Sequence, residues 1–215
     1  MARIAVVTDT PGWFDPHGEA LAATLRQEGH EAVFVRDVRE APEGDMAFHL
    51  SCLKLCPPEA LALNALNLVV HASDLPKGRG FSPLVWQVLE GRNDIPVCLI
   101  EAAEAADAGP VRLRDALTFQ GCELNDEMRE ALGRKVVEMC LRFARAPDAY
   151  PPAEQVGEPS WYARRRPEDS RLDPNRTLAD QFDLLRVVDN DRYPAFFEHR
   201  GRRFILRIED AGAAG

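Results

Sequence analysis

Residues 3–36 read RIAVVTDTPGWFDPHGEALAATLRQEGHEAVFVR, and this stretch decides the fold. Residues 3–8 are an apolar run ending in Thr8 and Asp9, the pattern of a buried parallel strand entering a loop. The loop Thr10–Gly18 carries Pro11, Gly12 and Pro16. Across residues 18–28, Leu21, Ala22 and Leu25 recur at helical spacing, and Gly29 follows as a C-cap. Residues 31–36 form a second apolar run. Strand, helix and strand in one short stretch make the βαβ unit of a doubly wound sheet. The glycine pattern G-x-G-x-x-G is absent, so a classical dinucleotide fingerprint is not supported.

The pattern repeats downstream. Strands are expected at residues 45–51, 67–72 and 96–101, with a short helix opening at Pro57-Pro58-Glu59. A helix over 82–90 has Ser82 as its N-cap and Pro83 in its first turn. Residues 110–119 read as an outer strand or hairpin, and 123–145 as a long amphipathic helix. Ala146–Ser160 is rich in proline and reads as a linker. Beyond it, a helix is expected at 174–187 and a hairpin at 194–208, turning at Arg200-Gly201. The expected fold is α/β: a doubly wound, Rossmann-like, mostly parallel sheet with a small C-terminal helix-plus-hairpin extension. The expected division is a catalytic domain at 1–146, a linker at 147–160, and an extension at 161–215 packed on the domain. The hairpin's apolar residues Phe196, Phe197, Phe204 and Ile205 close the core or form a homodimer face; core closure is favoured, because exposed apolar strands are usually covered.

The formal net charge of -9 argues against a general nucleic-acid binder, because phosphate neutralisation drives that binding. The five cysteines, Cys52, Cys56, Cys98, Cys122 and Cys140, are odd in number and unpaired in spacing. A reducing, cytoplasmic compartment is expected, with no metal, since structural zinc needs four ligands. The first apolar run is too short for a signal peptide, and nothing reaches transmembrane length.

The chemistry concentrates in residues 71–86, HASDLPKGRGFSPLVW. A strand delivers His71 at its carboxyl end, and a Pro- and Gly-rich turn then leads into a helix. Sites in open α/β sheets gather at strand carboxyl ends, and histidine suits acid–base work near neutrality. A histidine here is also commonly a loop hydrogen-bonding residue. Asp107-Ala108-Gly109 is equally ordinary turn chemistry.

Together these segments resemble the formyltransferase family. Its signature reads His-x-Ser-x-Leu-Pro, then glycines, then Pro and a helix with a Trp; further on comes a loop with Asp-x-Gly and an Ile or Val. Here these are His71, Ser73, Leu75-Pro76, Pro83, Trp86, Asp107, Gly109 and Val111. Residues 161–173 and 184–197 resemble the C-terminal segments of sugar-nucleotide N-formyltransferases. The resemblance implies that His71, Asp107 and Ser73 carry the chemistry and that 10-formyltetrahydrofolate is the formyl donor. It implies a folate contact along Leu53-Lys54-Leu55 and along Ala103-Glu104-Ala105-Ala106. Lys77, Arg79 and Gly80 are the candidates for the acceptor, implied to be a nucleotide-linked amino-deoxysugar. Arg164-Arg165-Arg166 is a further anion candidate or a solvated run.

The family also carries an Asn two residues before the His, where this chain has Val69. Asn67 shares the strand face of His71, but at roughly 3.3 Å per residue it sits about 13 Å away. Losing an oxyanion donor costs on the order of a hundredfold in rate. Val69 therefore keeps open a silent folate- or sugar-nucleotide-binding relative. Among other acceptors, methionyl-tRNA is disfavoured by the acidic charge and short C-terminal region. Glycinamide ribonucleotide is disfavoured because Thr10–Trp13 offers no Gly-Ser-rich phosphate loop.

Overall fold

A computed structural model describes residues 1–212. In chain order the elements are β1 (Arg3–Val7), α1 (Asp15–Gln27), β2 (Glu31–Val35), β3 (Gly44–His49), α2 (Pro58–Leu61) and β4 (Asn64–His71). They continue with β5 (Arg79–Gly80), α3 (Pro83–Leu89), β6 (Asp94–Glu101), β7 (Val111–Thr118) and α4 (Asn125–Arg145). The C-terminal part holds β8 (Trp161–Tyr162), α5 (Phe182–Arg186), β9 (Ala195–His199) and β10 (Arg202–Leu206).

The central sheet has the order β2-β1-β3-β4-β6-β7. Neighbours among β2, β1, β3 and β4 are parallel, whereas β6 and β7 are antiparallel additions. Alternation along each strand divides the side chains between two faces. Ile4, Val6, Phe48, Leu68 and Leu99 point into the main core with Leu21 and Leu25 of α1, Val88 of α3, and Met128 and Phe143 of α4. The opposite face is thinly covered: Ala5, Val7 and Ala47 meet Val38 and Ala60 of α2. His49, Asn67, Val69 and His71 alternate onto this second face.

Some boundaries differ from expectation. Helix α1 begins at Asp15, inside the expected loop, with Pro16 in its first turn where its missing N–H costs nothing. Ser82 sits at the N-cap position of α3 but makes no side-chain cap bond; its φ of 50° is left-handed, not the extended conformation of a capping residue. The helix expected over 174–187 shrinks to a 3-10 turn at Ala179–Gln181 followed by α5. The cause is Gln181, whose side chain binds the backbone of Asp173 and the carbonyl of Thr177, folding that stretch into a loop.

The extension docks through several polar contacts. The Trp86 indole donates to the Ala163 carbonyl at 2.8 Å and stacks on Tyr162. Arg186, 1% exposed, donates to Asn93 at 2.7 Å, and Arg129 pairs with Asp189 at 2.9 Å. Leu172, Leu185, Val188 and Ala195 form a small second core under the hairpin, with Phe197 packed against it. Phe204, stacked on Phe197, and Ile205 on the opposite face of the hairpin are both exposed, so of the four apolar residues expected to close the core only Phe196 is fully buried. No helix among the described residues is long and apolar enough to cross a membrane.

Candidate functional site

His71 is the last residue of β4 and is buried. Its Nε2 lies 2.8 Å from the Gly78 carbonyl oxygen. A carbonyl only accepts, so Nε2 carries a hydrogen. On the other side of the ring, Nδ1 faces Asp107 Oδ1 at 3.4 Å. The second oxygen of Asp107 accepts the Gly80 N–H at 2.9 Å. The imidazole and carboxylate are thus each held from behind by the glycine-rich turn, and their free atoms face one another. The separation exceeds an ordinary charge-assisted hydrogen bond, and such contacts commonly tighten only when substrate is bound.

Topology explains how Asp107 arrives there. Strand β6 runs antiparallel to β4 and ends at Glu101, in register with Leu68. The chain must then fold back along the open face to reach His71, about 10 Å up β4. The turn is tight: Asp107 has φ 53°, and a Cβ at Gly109 would overlap the Glu101 carbonyl. Asp tolerates the left-handed region better than most residues. The turn after His71 is equally close-packed. A Cβ at Gly78 would lie 2.8 Å from the Tyr162 ring and 3.0 Å from Ser73 Cβ, and one at Gly80 would strike the Tyr162 carbonyl. Buried Gln87 of α3 ties this turn down, donating to the Ala72 carbonyl at 2.7 Å.

The other sequence candidates separate into groups. Ser73 is buried beside Gly78, and its hydroxyl has no hydrogen-bond partner among the described residues. Lys77 is exposed. Arg79 is committed to the protein: Nη2 donates to Gln155 at 2.6 Å and the guanidinium lies over Trp161. Of the arginine run, Arg165 is turned inward toward the Asp169 carbonyl and Ser170 Oγ, and burial lowers its pKa. Arg164 covers Phe81, and the Arg166 backbone is capped by Asp169.

Residues 53–55 and 103–106 lie in the loops that follow β3 and β6, the two neighbours of β4 in the sheet. Leu53 and Leu55 are exposed apolar side chains. The N–H groups of Leu53 and Lys54 are both taken by the Asp9 carboxylate, at 2.9 and 2.8 Å. Asp9 therefore shapes this loop and leaves its carbonyls and leucines for a ligand. Between the loops, half-buried Val69 packs on Leu75, Cys98, Ile100 and Val111. Asn67 does not reach His71. Its Oδ1 accepts from His49 Nε2 at 3.1 Å, and its Nδ2 donates to the Leu61 carbonyl at 2.8 Å. Burial lowers the His49 pKa, outweighing the Asn67 contact, which raises it. Asp9, Gln87 and Gln155 escaped sequence reasoning, because their roles depend on partners distant in the chain.

Among the described residues, no cluster of His, Cys, Asp or Glu could hold a metal ion. A surface cavity of about 390 Å³ between α1 and α4 is lined by Arg134, Arg142 and Arg145. These already pair with Glu130, Asp115 and Glu28.

No protein-family model matches the chain. Solved structures do. A methionyl-tRNA formyltransferase from Clostridium thermocellum superposes with a TM-score of 0.79 at 20% identity, over 99% of this chain and 94% of that one. A sugar N-formyltransferase from a Shewanella species gives 0.72 at 13% identity, over 100% of both chains. HypX from Aquifex aeolicus, in complex with tetrahydrofolic acid, gives 0.74 at 19% identity, over 96% of this chain and 37% of that one. At these identities the likeness is one of fold: this chain has the formyltransferase fold.

Proposed function

We propose that the chain is an N-formyltransferase that moves a formyl group from 10-formyltetrahydrofolate to the amine of a nucleotide-linked amino-deoxysugar. The observation that carries this reading is the buried His71–Asp107 pair, 3.4 Å apart and held by Gly78 and Gly80. It stands at the open face of a formyltransferase fold. The residues there fit a folate: exposed Leu53 and Leu55 offer apolar contact on one side, the 103–106 loop offers backbone on the other, and Val69 supplies an apolar floor. When bound, the donor supplies an activated formyl carbon.

The chain's own residues handle the proton. An attacking amine must be neutral and must shed a proton as it bonds. With Nε2–H fixed on Gly78, the lone pair of a neutral His71 is at Nδ1, facing Asp107 Oδ1. A proton held between these two atoms is shared by a base and a carboxylate, so the pair can take it up and return it to the leaving nitrogen. Val69 offers no amide to a developing oxyanion; the Ser73 hydroxyl, two residues beyond His71 and unpartnered among the described residues, is the candidate for that role.

The Shewanella sugar N-formyltransferase, matched over its whole length, supports the acceptor class. A tRNA acceptor fits less well, since a net charge of -9 opposes phosphate binding. Incubation with 10-formyltetrahydrofolate and a panel of nucleotide-linked 3-amino and 4-amino sugars, followed by mass, tests the reading. Formylated product with one sugar establishes it. Folate binding without product from any amine would instead favour a binding protein, and no folate binding would remove the reading.

A further inference from the structure

Gln155 is the only residue between 151 and 160 that is not exposed. Its amide nitrogen donates twice, to the Asp107 carbonyl at 2.7 Å and to the Gly109 carbonyl at 2.8 Å. Its amide oxygen accepts from Arg79 Nη2 at 2.6 Å. One side chain thus joins the loop bearing Asp107 to the turn that follows His71. Only an amide can do this, because the position needs two donors and one acceptor on a single group.

The surrounding segment holds Gln155 in place. Ala153 makes a two-way backbone bridge with Val111, at 2.7 and 2.9 Å. Farther along, Ser160 Oγ accepts the Gly78 N–H at 2.9 Å, and the Ser160 carbonyl accepts the Arg79 N–H at 2.9 Å. The carbonyl of Gly78 is the partner of His71 Nε2. The segment read from its prolines as a linker is therefore hydrogen-bonded to both halves of the site. The Asp107 loop has particular need of it: a residue at φ 53° stands outside any helix or strand ladder, so its carbonyls lack regular partners.

We propose that Gln155 is a positioning residue. It fixes the backbone on either side of Ala108, and thereby holds the Asp107 carboxylate against His71 and Gly80. It touches no reacting atom; it acts through Asp107. Its kinetic consequence rests on the transferase reading above, while its structural consequence does not.

The test uses the full chain with Gln155→Glu, which keeps the acceptor for Arg79 and loses both donors, and Gln155→Met, which keeps only the shape. Three quantities are read: thermal unfolding, hydrogen exchange of the Gly80 amide that Asp107 accepts, and kinetics against a formyl acceptor. The expected result is a folded protein in which Gly80 exchanges about tenfold faster or more, with kcat down about tenfold and acceptor KM within about twofold, the scale of one or two lost hydrogen bonds. Unchanged Gly80 exchange in Gln155→Glu overturns the proposal. So does loss of the fold in both variants, since a positioning role leaves the core intact. If the unsubstituted protein transfers no formyl group, the functional reading fails by itself, and Gly80 exchange still decides the role of Gln155.

Discussion

Asp107→Asn separates the charge of this residue from its shape. Asp107 sits at φ 53°, a region that Asn adopts about as readily as Asp, so the backbone should not move. The Asn oxygen can still accept the Gly80 N–H. Its amide nitrogen then faces His71 Nδ1, and without the carboxylate the place where a proton is shared is gone. At 3.4 Å the His71–Asp107 contact is longer than a charge-assisted hydrogen bond in the free protein, in a site whose side chains are 8% and 14% exposed. Once tightened around substrate, such a bond contributes about 1.5–3 kcal/mol. If that contribution is realised in the transition state, kcat falls by about 10- to 150-fold. Asp107→Ala behaves differently. It strains the left-handed turn by about 1–2 kcal/mol and loses the Gly80 bond, about 1 kcal/mol more. At about 2–4 °C per kcal/mol for a chain of this size, Tm should drop by about 4–12 °C. The assay is formyl transfer under saturating donor, paired with thermal unfolding of both variants. A Gly-anchored, charge-dependent role is refuted if Asp107→Asn keeps turnover within about threefold of the unsubstituted protein. It is equally refuted if the Asn and Ala variants lose the same Tm.

His49 predicts a pH dependence. Burial lowers its pKa below the ordinary 6.5. As pH falls below 6.5, the unfolded chain gains a proton there that the folded chain resists, so stability declines toward the lowered folded value and is complete above 6.5. His49→Gln should flatten that slope, read as denaturation midpoints at about pH 5.5 and 7.5; equal slopes would refute it. Val69→Asn places an amide two residues before His71 on the same face, and under the proposed mechanism kcat should rise at least about tenfold. No rise would mean that another group already serves the oxyanion. Arg186→Met removes the donors to Asn93 and Asp183, which are 2.7 and 2.8 Å away. It should lower stability by about 1–3 kcal/mol and expose the extension to protease; an unchanged urea midpoint would show that the docking is apolar.

Val69 is where the proposed chemistry is most distinctive. The face of β4 that meets the site carries Asn67, Val69 and His71 in alternation, and the one amide on it is consumed by His49 and Leu61. A transferase built this way relies on fewer oxyanion donors and correspondingly more on the placement of Asp107. That makes the tethering of the 107–109 loop by Gln155 more consequential here than it would be in a site with a full donor set.

The repeating elements were legible in the sequence because their signals are local. Apolar runs at 3–8, 31–36, 67–72 and 96–101 fall on strands, and Leu21 and Leu25 fall on the buried stripe of α1. Burial along a strand or helix is written in the residues of that element alone. His71 was legible as a strand-end residue for the same reason, and Asp107 as a turn residue. Local pattern did not bring them together; only the resemblance implied their meeting, which in the structure depends on β6 running antiparallel and on the loop after it folding back along β4 toward His71. The expected helix over 174–187 failed because the side chain of Gln181 holds the backbone of Asp173 in a loop, an interaction that periodicity cannot register. The prolines of 147–160 were read as slack chain, since proline marks only the lack of regular structure. Whether such a segment is free or bound depends on what it lies against: Ala153 on Val111, Gln155 on Asp107 and Gly109, and Ser160 on Gly78. The sequence alone determined the elements and the residue types able to do the chemistry. Tertiary structure decided which polar groups are already spent on one another and which are left to act, because hydrogen-bond partners distant in the chain become known only when it folds.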